Sequence, residues 1–282
     1  ADGYEAIGRL TGWPGFGLVP WIAATARLPS EDAVVLDRAA PATPGRKLVA
    51  CPILPRIANF DDLDPLRQEP EVEVAMVPPG TPIPAHAGMI VLPGSKATIA
   101  DMAFLRAQGW DIDILAHHRR GGAVLGICGG YQMLGRRIAD PLGIEGDPRA
   151  IAGLGLLDVE TVLTPEKALR RVRGVALGAA FEGYEMHMGE TTGPGTAHRF
   201  ACLDGTRADG AIHADGRVFG TYCHGLFAAP GLRAAVLARI GARSNGADHD
   251  HAVDAALDEL AGELERHLDI DGLLALARAG LA

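Results

Sequence analysis

The run Val124-Leu125-Gly126-Ile127-Cys128-Gly129-Gly130-Tyr131-Gln132 places one thiol between an apolar stretch that reads as a strand and a segment that reads as the start of a helix. A nucleophile on so sharp a turn needs small residues two positions before and two after it, because side chains there would collide. Gly126 and Gly130 meet that need. The helix N-terminus would direct N–H groups and the positive end of its dipole at the sulfur, which favours thiolate. The Gly129 N–H could also donate to a developing oxyanion. The same residues fit a buried structural cysteine beside a glycine-rich turn.

A thiolate nucleophile needs a base. Of ten histidines, His224 follows the apolar run Val218–Cys223 and precedes Gly225. Ligands of parallel sheets gather at strand ends, where His224 could meet Cys128. His187, in Tyr184-Glu185-Met186-His187-Met188-Gly189, is the competing base. His117, His118, His249, His251 and His267 fall on segments read as helices and are expected in solvent. The turn after Ile90-Val91-Leu92, at Pro93-Gly94-Ser95-Lys96, could present a second oxyanion donor from the Gly94-Ser95 peptide. Cys51 and Cys202 read as core residues, and Cys223, one position before His224, should point to the opposite face of its strand.

These residues need a scaffold. Lys47–Leu54, Val72–Val77, Gly88–Leu92 and Ala123–Ile127 are short apolar runs bounded by Pro or Gly, as buried strands are. Between them Thr98–Gln108, Asp111–Arg120 and Gly129–Arg136 carry helical spacing, with Asp101 placed to close a capping box on Thr98. This alternation predicts an α/β fold, a flavodoxin-like, mostly parallel sheet with helices on both faces. Further strands are expected at Leu156–Val162, Gly183–His187 and Arg217–Cys223. Residues 231–282 should form a helical C-terminal tail, in which Val253, Ala256, Leu257, Leu260, Leu264 and Leu268 share a face. In residues 1–45, Phe16–Ile22 reads as a short buried strand and the stretch around Pro41–Gly45 as connecting chain.

The chain has 282 residues and a net charge of −9, of which residues 245–282 hold −7. No basic tract supports nucleic-acid binding, and no apolar run reaches the length of a membrane span. The four cysteines form no C-x-x-C pair, so they read as thiols and offer no metal site. A cytoplasmic protein is expected.

Together the pieces resemble a class I, triad-type glutamine amidotransferase domain of the cobyrinate branch, of the kind found in CobQ-type cobyric acid synthases. The resemblance lies in Pro55–Leu66, Leu92–Thr98, Gly126–Gly135, Asp140–Glu145, Tyr184–Gly189 and Gly220–Phe227, in the family's order. It implies that Cys128 attacks the side-chain amide of glutamine and that Gly129, Ser95 and the Gly94 turn hold the oxyanion. His224 then shuttles protons, and Gln132 contacts the bound glutamine. Most triad amidotransferases place a Glu two positions after the histidine; here that position is Leu226, a loss the cobyrinate branch shares, which leaves Glu185 and Asp62 as possible orienting acids and predicts weak stand-alone glutaminase activity.

Residues 1–45 resemble the end of a dethiobiotin-synthetase-like ATP-binding domain, residues 46–230 being the amidotransferase domain. ATP and Mg, and through them the corrinoid substrate, adenosylcobyrinic a,c-diamide, are implied for a preceding domain. No phosphate-binding G-x-x-x-x-G-K-[ST] occurs in this chain. Rival readings are the amidotransferase of another ATP-dependent ligase (cobyrinic a,c-diamide synthase or a lipid II amidating complex) and a non-enzymatic flavodoxin-like binding module.

Overall fold

The structure, a computed structural model, describes residues 2–28 and 45–280; most of the stretch read as connecting chain, residues 29–44, lies outside the described residues. The described parts of 1–29 and 250–282 pack into one compact unit, and those of 30–249 into another.

In the chain order, α1 (Asp2–Thr11) and a 3-10 turn at Ala23–Arg27 come first. Then follow β1 (Lys47–Pro52), β2 (Ile57–Ala58), α2 (Asp64–Arg67), β3 (Val72–Val77), β4 (Met89–Leu92), β5 (Gly94–Ser95), α3 (Thr98–Ala107), α4 (Trp110–Arg119), β6 (Ala123–Ile127) and α5 (Gly129–Leu134). The second half holds β7 (Arg137–Asp140), β8 (Arg149–Ala152), β9 (Glu160–Ala176), β10 (Ala179–Thr192), β11 (Ala201–Leu203), β12 (Arg207–Asp209), β13 (Ala211–Ile212), β14 (Val218–Thr221) and β15 (Cys223–His224). Three helices close the chain: α6 (Pro230–Ala238), α7 (His249–His267) and α8 (Ile270–Ala279).

The central sheet has the order β13-β14-β6-β4-β1-β3. It is parallel except for β13, which runs antiparallel to β14. Successive strand residues point to opposite faces, and both faces are covered. Leu48, Ala50, Ile90, Leu92 and Val124 pack with Met102, Leu105, Ile114 and Leu134 of α3, α4 and α5. Val49, Cys51, Met89, Val91 and Leu125 pack with Leu66, Leu232 and Val236 of α2 and α6. Strands buried on both faces read as unbroken apolar runs, which is why these are legible in the sequence.

A second sheet, β12-β11-β9-β10-β15, is dominated by the long β9–β10 hairpin. The strand expected from Leu156 starts only at Glu160, because the Leu156 and Leu157 N–H groups both donate to Leu134 O at 2.9 Å. A two-stranded ribbon, β2 with β5, sets Ile57 opposite Ser95 and Ala58 opposite Gly94.

Asp101 does not cap α3. The Glu145 carboxylate accepts from Thr98 N at 2.8 Å and Ile99 N at 2.9 Å, taking the helix's free donors. Asp101 instead braces the preceding turn, through Ser95 Oγ at 2.6 Å and Arg56 N at 3.2 Å. His117 is not in solvent: it is buried 3.0 Å from Ala123 O, in space that a side chain at position 122 would fill.

Helix α6, expected in the tail, packs into the larger unit, because Leu232, Val236 and Leu237 complete its core. The remaining helices, α7 and α8, join residues 2–28. Phe16–Ile22 forms no strand there. One bridge, Gly17 to Leu268, is its whole pairing, and Leu18, Val19 and Trp21 stay exposed. Phe16 O accepts from Asp269 N at 2.7 Å, Gly17 N donates to Tyr4 Oη at 2.9 Å, and Arg27 pairs with Glu259.

Candidate active site

Cys128 stands where β6 turns into α5, at φ 52° and ψ −110°. A non-glycine residue held at positive φ stores strain that the surroundings must impose. Here they do so by close approach. A methyl group on Gly126 would lie 2.5 Å from Gly130 O, and one on Gly130 would lie 2.0 Å from Leu92 O. Only glycine fits at either position, as the spacing predicts. The thiol is 9% exposed and donates to Met186 O of β10 at 3.3 Å.

The residues expected to donate to an oxyanion, Ser95 and Gly129, are brought together from two elements. In the β2–β5 ribbon Lys96 N donates to Arg56 O at 2.9 Å. Neighbouring N–H groups of a strand point to opposite sides, so Ser95 N faces away from β2. It faces Gly129: a methyl there would lie 2.9 Å from Ser95 N. The Gly94 position leaves room beside the imidazole, since a methyl on it would come within 3.4 Å of His224 Cε1.

His224 is fully buried, in β15 opposite Tyr184 of β10. Its Nδ1 lies 2.7 Å from Asp62 Oδ2, while Asp62 Oδ1 accepts from Gly225 N at 2.7 Å. Burial disfavours the imidazolium. The Asp62 charge and hydrogen bond, together with Cys128, outweigh it and push the His224 pKa up to about 10. Nε2 is buried with no hydrogen-bond partner among the described residues. It is the nitrogen left to serve a reacting group beside Cys128.

The two candidate acids are thus placed differently. Asp62 grips the histidine. Glu185 does not: its carboxylate accepts from Arg170 Nε and Arg207 Nη1, each at 2.7 Å. Burial opposes its charge, but the two guanidinium groups hold its pKa below the usual carboxylate range. Leu226, where the usual glutamate would stand, is buried in the core.

A cavity of about 350 Å³, at the low end for small-molecule sites, opens beside the thiol. Its wall includes Asn59, Ser95, Lys96, Cys128, Lys167 and His187. Gln132 also lines it, but its amide is held by the protein. Oε1 accepts from Thr98 Oγ1 at 3.0 Å, and Nε2 donates to Met188 O at 3.0 Å and Tyr222 Oη at 3.2 Å. His187 stacks on Tyr222 at 3.7 Å, and burial pushes its pKa down. It has no carboxylate partner like that of His224 among its hydrogen bonds. The sequence assigns no role to Asn59, Tyr184 or Glu145, although each lies in a string that carries the resemblance.

The family model described as CobB/CobQ-like glutamine amidotransferase domain matches residues 48–231. A protein of Rhizorhabdus wittichii named cobyric acid synthase is 67% identical over 279 residues, covering 99% of this chain and 58% of its own length. One of the same name from Sphingopyxis alaskensis is 66% identical over 276 residues, covering 98% of this chain and 57% of its own. The chain therefore spans somewhat over half the length of these relatives. The solved structure of PurLQS from Thermotoga maritima aligns over 75% of this chain and 99% of its own, with a TM-score of 0.50 and 17% identity, a likeness of fold.

Proposed function

The chain belongs to the CobB/CobQ-like glutamine amidotransferase domain family, and from that premise we propose that it is the glutamine-hydrolysing part of a cobyric acid synthase. The observation that carries this reading is the approach of Cys128, on its strained elbow, to a His224 whose Nδ1 is held by Asp62 at 2.7 Å.

The chemistry follows from the groups present. The Cys128 thiolate attacks the side-chain amide carbon of glutamine. The N–H groups of Gly129 and Ser95 bind the oxygen as it takes up negative charge. His224 Nε2 gives its proton to the departing ammonia, leaving a γ-glutamyl thioester. The same nitrogen then takes a proton from water, whose attack on the thioester releases glutamate and restores the thiolate beside a protonated His224. Asp62 keeps the imidazole in the tautomer and orientation that put Nε2 at the reaction. Lys96 and Lys167 on the cavity wall supply positive charge for the α-carboxylate of glutamine. Gln132 supports the wall through Thr98, Met188 and Tyr222.

The ammonia would serve ATP-dependent amidation of carboxylates on adenosylcobyrinic a,c-diamide. ATP, Mg and the corrinoid would be bound by the part of the longer relatives that this chain does not span. The described part of residues 1–29, packed with α7 and α8, would belong to that ATP-binding part. The four cysteines are free thiols, which supports a reducing, cytoplasmic setting. Among the described residues no helix is long and apolar enough to cross a membrane.

A glutamine analogue that alkylates the nucleophile, such as 6-diazo-5-oxonorleucine, tests the reading. It should label Cys128 alone, and Cys128→Ser should abolish both labelling and glutaminase activity. A folded protein that neither binds glutamine nor is labelled would sink the proposal.

A further inference from the structure

The His224 imidazole is gripped in two places. Asp62 holds its edge. Its face is covered by the Tyr184 ring, centroid to centroid 5.1 Å and 18° from parallel. The β10–β15 register sets this stack, since Tyr184 stands opposite His224. The Tyr184 hydroxyl accepts from Asn59 Nδ2 at 2.8 Å. Asn59 sits at φ 53° and opens the turn that carries Asp62, whose N–H donates to Asn59 O at 3.1 Å. One turn therefore supplies the first grip and tethers the second, and Asn59 is also part of the cavity wall.

We infer that Tyr184 is a positioning residue for His224, and that Asn59, by tethering the Tyr184 hydroxyl, ties this grip to the wall of the cavity beside Cys128. The inference rests on Cys128 and His224 acting as a reactive pair. An aromatic face over an imidazolium is attracted to its positive charge, and His224 must keep its proton until ammonia leaves. The titratable groups facing the ring are Asp61 and Asp62 from the turn, Cys128 from the elbow, and Tyr184 and His187 from β10. Burial and the charges of Asp62 and Asp61 push the Tyr184 phenol up to about 12, so it stays neutral and remains the acceptor for Asn59.

The experiment is the pH dependence of Cys128 alkylation by iodoacetamide in the intact chain, followed on the Cys128 peptide so that the other three thiols do not contribute. A weaker imidazolium stabilises the thiolate less, so the pH of half-maximal reactivity rises. Tyr184→Leu should move that midpoint up by about one unit, or about tenfold less thiolate at a fixed pH below it. Tyr184→Phe keeps the ring and should move it far less, with Asn59→Ala in between. An unchanged melting temperature reports an intact fold, and Tyr184→Met carries the same comparison where the Leu variant does not fold.

Superimposable profiles for Tyr184→Leu and the unchanged chain would overturn the inference. So would a Tyr184→Phe shift as large as that of Tyr184→Leu, because the ring would then not be the grip. Glutamine hydrolysis measured alongside keeps the two readings apart. Its absence in the unchanged chain counts against the glutaminase function, while the alkylation profile still judges Tyr184.

Discussion

Asp62 Oδ2 lies 2.7 Å from His224 Nδ1, although 162 positions of chain separate them. A carboxylate from the turn before α2 thus holds the edge of the imidazole, although position 226, two residues beyond the histidine, is a leucine. Leucine at position 226 therefore does not leave the imidazole without an acid partner.

Asp62→Asn should therefore lower glutaminase kcat by about 100- to 10,000-fold with little change in KM, since the wrong tautomer and a weaker imidazolium affect the chemical step. Glu185→Gln is the control. It removes the charge of a buried carboxylate that pairs with two partly exposed guanidinium groups, Arg170 and Arg207, so it should lower the urea midpoint. In whatever folds, the pH–rate profile should stay unchanged. Equal catalytic losses in the two folded variants would contradict the assignment.

Leu226→Glu should not improve the enzyme. Leu226 is 2% exposed among apolar neighbours, and an unpaired carboxylate there costs several kcal/mol, on the order of 3–5, unless it is protonated. Thermal unfolding should show a lower Tm for this variant. A gain in both Tm and kcat would mean that the loop can turn position 226 toward His224.

Stability should depend on pH through His224. Its folded pKa is raised, from 6.5 to about 10, so its contribution is fully present below the unfolded pKa and is lost as pH rises through the folded one. Urea midpoints of the unchanged chain should fall between about pH 6.5 and pH 10, and His224→Gln should flatten that part of the slope. Parallel slopes for the two proteins would remove His224 as the cause.

Removal of residues 250–282 should leave Cys128 chemistry in place, because the site lies wholly within residues 30–249. The described part of 1–29 would lose its partners at Phe16, Gly17 and Arg27. Limited proteolysis of the truncated chain should then cut first in residues 1–29, with labelling of Cys128 by the glutamine analogue retained. Loss of that labelling would show that α7 and α8 support the site.

Gly130→Ala tests the elbow. Its methyl group would sit 2.0 Å from Leu92 O, a backbone atom that cannot swing aside. A cost of about 1–3 kcal/mol in urea unfolding is expected from overpacking, with glutaminase activity falling further as Cys128 is displaced. A variant equal to the parent in both measurements would show the elbow to be more compliant than its contacts suggest.

What the sequence determined by itself is what neighbouring residues settle among themselves. The apolar runs of β1, β3, β4 and β6, the helical spacing of α3 and α4, and the glycines around Cys128 depend on side-chain period and on collisions within one turn. The elbow at Cys128, the Gly94-Ser95 turn and the strand-end position of His224 were legible for that reason. The tertiary structure alone decided between Asp62 and Glu185, and it set Tyr184 over His224, Glu145 on the end of α3, and residues 2–28 against α7. Each of those pairings joins distant segments through sheet order, strand register or packing. Such contacts carry no period along the chain, because they exist only once the segments between them have folded.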